Sequence, residues 1–186
     1  IISRSFYRIQ PMSSSTKGAL PPTLQYKPWP WQRAMQVVPA SSPGSWFFSK
    51  WLHVLDRSTL QLTGGRLTFP GLVAGLPVIT LTSIGAKSGQ PRTTPLVGIP
   101  DGKNIILVAS NWGQAKNPAW CANLRANPQV TLNFQDYTGP YVAREVVDSH
   151  EYALCWNKAV EVYFGYANYR KRAGDRHIPL FILTPA

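Results

Sequence analysis

The order of elements in the sequence predicts an α+β fold, a mostly antiparallel sheet or small barrel with two to three helices. Three observations predict it. Short apolar runs alternate with turn signals, Asp101-Gly102 marks a hairpin between two such runs, and segments with helical spacing interrupt the strands rather than following each one. Strands joined by hairpins favour this arrangement over a doubly wound parallel sheet.

Taken in order, residues 1–44 read as an unstructured basic extension. Pro21, Pro22, Pro28, Pro30, Pro39 and Pro43 occur with serine clusters and little periodicity. An aromatic helix over Ser45–Leu55 follows, within a helical segment spanning 45–63. It either packs on the domain or lies on a membrane surface. The ordered domain is expected over 64–186. Leu76–Ile84 reads as a buried strand, Gly85–Gly89 as a glycine-bounded loop, Thr93–Ile99 as the second strand and Asn104–Ser110 as the strand returning from the hairpin. A helix is expected over Asn117–Ala126, with Asn117 as N-cap, Pro118 at the first helical position and Asn127-Pro128 as the stop. Val130–Phe134 and Tyr141–Val147 are further strands. Asp148-Ser149-His150-Glu151 resembles a capping box. Beyond it Tyr152, Cys155, Trp156, Ala159, Val160 and Tyr163 share one helix face. Gly165 is expected to end that helix and free Tyr166 and Tyr169 to point elsewhere. Ile178–Leu183 is the final strand.

A chain of 186 residues with 44% hydrophobic content suits one domain with a substantial core plus additional chain. The net charge of +11 is uneven. Within residues 1–76, Arg4, Arg8, Lys17, Lys27, Arg33, Lys50, Arg57 and Arg66 stand against Asp56 alone. Such a surface attracts anions, anionic lipid or nucleic acid. No run of five like charges occurs, so no nucleic-acid partner is expected. Cys121 and Cys155 form neither a CxxC pair nor a zinc spacing, and two buried thiols in a reducing compartment are expected. No His/Asp/Glu cluster suggests a metal. The longest apolar candidate, Leu72–Ile84, is broken by Gly75 and Pro77 and falls short of the ~18 residues that span a bilayer. Residues 1–17, serine-rich with Arg4, Arg8 and Lys17, read as an ordinary tail or as a mitochondrial presequence. The expected location is cytoplasmic, with mitochondrial or membrane-peripheral placement as alternatives.

The stretch with most chemical content is Gly85-Ala86-Lys87-Ser88-Gly89-Gln90-Pro91-Arg92. Two glycines bound a short turn after a strand, where backbone amides can turn toward an anion. Lys87 and Arg92 add charge and Ser88 a hydroxyl. The loop is neither GxxxxGK[ST] nor GxGxxG. By itself it fits a phosphate clamp and a solvated hairpin equally well.

Gly85-x-Lys87-Ser88-Gly89-x-Pro91-Arg92-x-x-Pro95-Leu96 resembles the signature loop of the deazaflavin-dependent nitroreductase family. So do Val108-Ala109-Ser110 and Lys116-Asn117-Pro118-x-Trp120-x-x-Asn123-Leu124-x-Ala126-Asn127-Pro128. The same holds for Tyr163-x-x-Tyr166-x-x-Tyr169 and Asp175-Arg176-x-Ile178-Pro179. The resemblance runs from about Leu60 to Ala186 in unbroken order. It implies a split β-barrel akin to flavin-binding barrels, and coenzyme F420 as cofactor, with FMN as the alternative. By position it implies that Gly85, Lys87, Ser88 and Arg92 hold the phosphate and acidic tail. Pro95, Ala109, Ser110, Trp120 and Asn123 would line the groove, with Lys116 and Arg125 assisting the tail. Tyr163, Tyr166 and Tyr169 would face the substrate, with Tyr166, Tyr169 and Ser110 as the catalytic donors. Ala86 stands where the family usually carries a basic residue, and Val97 where it often carries a bulky one.

Read without the resemblance, Trp120 is a core residue, Tyr163 continues an apolar helix face, and Lys116 and Arg125 are solvated charges. The implied activity is hydride transfer between F420, or a related flavin, and a small conjugated substrate such as an enone, quinone or nitro compound. The alternative is a non-catalytic cofactor- or hydrophobic-ligand-binding module at a membrane. A homodimer and peripheral membrane contact through the N-terminal segment are the further expectations.

Overall fold

The computed structural model describes residues 22–41 and 75–186. The expectations for 1–17 and for 45–63, and the domain start at 64, lie outside the described residues. In chain order the elements are α1 (Pro30–Met35), α2 (Val37–Ala40), β1 (Val78–Ile84), β2 (Pro91–Asp101), β3 (Asn104–Val108), α3 (Ala119–Ala126), β4 (Gln129–Phe134), β5 (Tyr137–Glu145), α4 (Ser149–Val162), α5 (Gly165–Ala173) and β6 (Leu180–Pro185). A short 3-10 turn at Asn111–Gly113 precedes α3.

The six strands close into one antiparallel barrel in the order β1-β2-β3-β6-β5-β4, with β4 returning to β1. Closure leaves no sheet edge exposed. Alternation along the strands builds two apolar layers. Ile79, Leu81, Ile105, Leu107, Leu132, Phe134, Phe181 and Leu183 pack inside with Trp120, Cys121 and Leu124 of α3. Ile99, Ile106, Val108, Leu180 and Ile182 point outward and pack beneath α4 and α5. β3 and β6 are therefore buried on both faces, which is why they read as continuous apolar runs. β4 is covered on one face only and alternates buried with exposed.

The helices follow their caps. The Asp148 carboxylate accepts from Glu151 N–H at 2.8 Å, and Cys155, Trp156 and Ala159 form the buried face of α4 as the spacing predicts. The Glu151 side chain does not close the capping box; it pairs with Arg144. β5 begins at Tyr137, four residues before its predicted start, because Gln135 adopts φ 52° and turns the chain tightly. α3 begins at Ala119 with Pro118 as N-cap. The predicted cap, Asn117, instead accepts from Arg176.

Two further expectations are corrected. Residues 22–41 are not featureless coil. They form α1 and α2, and Leu24 is buried in the barrel's apolar cluster. Proline at the start of α1 fits the first turn of a helix, where no N–H donor is needed. Gly165 does not release Tyr166 and Tyr169 from helix; it opens α5, which carries both. Cys121 and Cys155 are free and buried as expected.

Candidate functional site

The Gly85–Arg92 loop is a tight turn between β1 and β2. Gly85 N–H donates to the Gln90 carbonyl at 2.9 Å and Gly89 N–H to the Gly85 carbonyl at 2.8 Å. Gly89 takes φ 63°, a conformation that costs glycine little. Asn123 of α3 fixes the loop from below. Its amide oxygen accepts from Ala86 N–H at 2.9 Å, and its NH2 donates to the Ser83 hydroxyl at 3.3 Å. Lys87, Ser88 and Arg92 are exposed on this turn. The Ser88 hydroxyl accepts from Gln90 N–H at 3.3 Å. Among the described residues no carboxylate pairs with Lys87, Arg92 or Lys116.

Arg125 behaves differently. Both ends of its guanidinium reach Glu145, at 2.7 and 2.6 Å. Hydrogen bonding to Arg125 holds the Glu145 carboxyl below its ordinary pKa. Arg125 thus offers an anion less than Lys87 or Arg92 does.

The segment after β3 is held by an arginine to which sequence reasoning gave no role. Arg176 donates to the Ser110 carbonyl at 2.6 Å, to the Ala109 carbonyl at 3.3 Å and to the Asn117 side chain. The signal available was an arginine two residues before the buried Ile178-Pro179 run. Ala109 is fully buried, so its side chain lines no open groove, and Ser110 is nearly buried. The Ser110 hydroxyl makes no hydrogen bond among the described residues. Trp120 is buried and meets Phe181 edge-on at 5.6 Å, which makes its ring part of the barrel core. Pro95 is exposed on β2, opposite Thr80 of β1.

The three tyrosines form one cluster. Tyr163, Tyr166 and Tyr169 are 3%, 4% and 3% exposed. Their rings meet edge-to-face, with centroids 5.3 Å apart for Tyr163–Tyr166, 5.8 Å for Tyr163–Tyr169 and 6.1 Å for Tyr166–Tyr169. Tyr163 and Tyr169 share a hydroxyl hydrogen bond of 2.8 Å. The Tyr166 hydroxyl makes none among the described residues. Burial, reinforced by the neighbouring Tyr169, pushes the pKa of both Tyr163 and Tyr166 well above the ordinary phenol value. These hydroxyls therefore stay protonated at neutral pH and can act as donors. Arg172 lies over the Tyr169 ring at 4.8 Å, and Trp112 meets the same ring edge-on at 5.7 Å. Through Trp112 the Ser110 segment abuts the tyrosine cluster, and through α3 it continues to the Asn123-held loop. Lys116 is exposed on that same segment, its carbonyl accepting from Asn111.

The family model for F420H(2)-dependent quinone reductase matches residues 56–185. An F420H(2)-dependent quinone reductase of Mycobacterium tuberculosis (strain ATCC 25618 / H37Rv) is 39% identical over 152 residues, covering 73% of this chain and 97% of the relative. Among solved structures, an F420-H2 dependent reductase (FDR-A) is 39% identical with a TM-score of 0.53, covering 57% of this chain and 93% of the other. A chain solved as a domain-swapped dimer is 34% identical with a TM-score of 0.55, covering 76% of this chain and 99% of its own.

Proposed function

The chain belongs to the F420H(2)-dependent quinone reductase family, and from that premise we propose that it transfers a hydride between coenzyme F420 and a quinone-like acceptor. Enones and nitro compounds share the flat, electron-poor character of quinones and are the further acceptors of the reading. The observation that carries it is a division of labour among the polar groups. Lys87, Arg92 and Lys116 are exposed cations with no carboxylate partner among the described residues, whereas Tyr166 is a buried residue whose hydroxyl makes no hydrogen bond among them.

That arrangement fits the cofactor. A phosphate and an acidic tail need unpaired cations, and Lys87 and Arg92 on the Gly85–Arg92 turn supply them; the Gly85, Ala86, Gly89 and Gln90 amides are engaged in holding the turn in shape. When bound, the deazaflavin supplies the hydride. The protein does the rest. Asn123 holds the turn in place through Ala86 N–H. Arg176 fixes the Ser110 carbonyl, so the Ser110 hydroxyl is presented from a rigid segment. Tyr166, kept protonated by burial, donates a hydrogen bond to an acceptor oxygen as negative charge develops there. Tyr169, bonded to Tyr163 and covered by Arg172, fixes the ring against which Tyr166 packs. Trp120 and Ala109 support the site from the core, and Arg125 contributes through Glu145 rather than through the ligand.

A cytoplasmic enzyme in contact with a membrane face, where apolar quinones reside, belongs to the same reading. Homodimer formation does also, supported by the 34%-identical chain that forms a domain-swapped dimer. The test is a titration with F420 run beside FMN and FAD, followed by Tyr166→Phe. F420 should bind in preference to both flavins. Tyr166→Phe should keep that affinity and lose about tenfold or more in turnover, within the range of general acid catalysis. Full turnover by the variant would remove Tyr166 from the mechanism, and preference for FMN would overturn the cofactor.

A further inference from the structure

Residues 22–41 precede the part of the chain that the family model matches, yet they lie over the tyrosine cluster. Tyr26 donates to the Val162 carbonyl at 2.7 Å, one residue before Tyr163. Gln36 donates to the Tyr26 hydroxyl at 3.4 Å. From the other side, Asn168 donates to the Ala40 carbonyl at 3.3 Å, and Arg172 to the Ala40 and Ser41 carbonyls at 3.3 and 3.2 Å. Ala40 is buried in the same cluster as the three tyrosines. The segment is a strap, and with it in place the tyrosines are closed to a substrate.

The strap's helical turns face the wrong way for ordinary packing. Gln32, Gln36 and Ala40 recur every four residues; Gln36 and Ala40 are buried, and the Gln32 side chain abuts Gly75. The rows that face solvent are apolar. Trp29 is 69% exposed, Trp31 55%, Met35 40% and Val37 58%. A surface helix normally turns its apolar stripe to the core, so this inversion marks a contact surface. Lys27 and Arg33 are also exposed, and residues 22–41 contain no Asp or Glu. Tryptophan settles at the boundary between hydrocarbon and water, and cations beside it favour an anionic surface.

We infer that the outer face of residues 22–41 docks on an anionic bilayer surface, and that docking draws the strap from the tyrosine cluster and opens it to an apolar acceptor. The docking surface stands on the strap alone; the opening rests on the tyrosine site of the proposed function. Inside, the strap is held by Leu24 and Ala40 and by the hydrogen bonds of Tyr26, Asn168 and Arg172; its outer face offers two indoles, whose apolar burial in the bilayer pulls against those anchors.

The experiment uses the full chain with vesicles of equal parts phosphatidylglycerol and phosphatidylcholine, beside vesicles of phosphatidylcholine alone. Co-sedimentation should favour the anionic vesicles and weaken in high salt. Trp29→Ser with Trp31→Ser should reduce binding roughly tenfold or more. Turnover of a water-soluble short-chain quinone should rise when anionic vesicles are added to the wild type and stay flat in the double variant. Tyr26→Phe with Gln36→Ala should raise turnover without vesicles, because the anchors are already loosened. Vesicle binding unchanged in the double variant overturns the docking surface. So does sedimentation showing a wild-type dimer that the double variant dissolves, since a second copy then covers the patch. Binding without any gain in turnover overturns the gate. Absence of F420-dependent turnover under every condition refutes the proposed function, and the vesicle result still decides the docking surface.

Discussion

Gly165→Ala is a substitution for which helix propensity and tertiary structure predict opposite signs. Gly165 opens α5, and alanine in a helix is favoured over glycine by up to about 1 kcal/mol. A Cβ at this position would lie 2.2 Å from Tyr163 Cζ and 2.4 Å from its hydroxyl oxygen. Ordinary carbon contacts need about 3.5–4.0 Å, so the Tyr163 ring must retreat by more than about 1 Å. That movement breaks the 2.8 Å bond to Tyr169, which costs about 0.5–1.5 kcal/mol. Overpacking a tight cluster costs about 1–3 kcal/mol more. The losses outweigh the propensity gain, and the variant should be about 1–3 kcal/mol less stable than wild type. Urea denaturation measures the difference, and near-ultraviolet circular dichroism reports the tyrosine packing. Turnover should fall as well, because Tyr166 packs on the displaced ring. A variant more stable than wild type, with an unchanged near-ultraviolet spectrum, would refute the close approach of Gly165 to Tyr163.

Three other outcomes follow from the same geometry. Lys87→Ala should weaken F420 binding by about 1.5–3 kcal/mol, roughly 10–100-fold, by calorimetric titration. Arg125→Ala should leave that affinity within about threefold and cost about 0–1 kcal/mol of stability, since its pair with Glu145 is partly exposed; the reverse ranking would move the anion site to Arg125. Tyr141 is buried with a hydroxyl that has no partner among the described residues, so Tyr141→Phe should be neutral or stabilising by about 1 kcal/mol in the same denaturation assay, and a loss above about 2 kcal/mol would show that the hydroxyl is bonded. Burial raises the Tyr163 and Tyr166 pKa values and takes Tyr141 up to about 12. Because the folded values exceed the unfolded value of about 10, this stabilisation is complete below pH ~10 and declines as the pH rises above it. Absorbance at a tyrosinate wavelength should therefore rise together with alkaline unfolding; buried tyrosines titrating in the folded protein would contradict the cluster.

Much of the barrel was legible in the sequence because its information is local. Short apolar runs between turn signals marked the strands, Asp101-Gly102 placed the hairpin, and Asp148 capped α4 where it was expected. The order of the Gly85, Ser110, Asn117–Pro128 and Tyr163–Tyr169 motifs carried the family resemblance. Local pattern could not decide how those motifs meet. Arg176 reaches Ser110 across 66 positions and Arg125 reaches Glu145 across 20, and no periodicity records either contact. Trp120 reads as core from its helix position and as groove lining from the family resemblance; in the closed barrel its ring packs edge-on against Phe181. Tyr166 and Tyr169 looked free behind a glycine because glycine ends many helices, yet here it admits the Tyr163 ring and starts another. The strap read as coil because of its prolines, serine clusters and little periodicity, and helical turns as short as α1 and α2 leave no longer pattern to detect. Local propensity and face pattern belong to the sequence, whereas side-chain pairing across the fold and the choice of what covers what arise only when closure brings distant segments into contact.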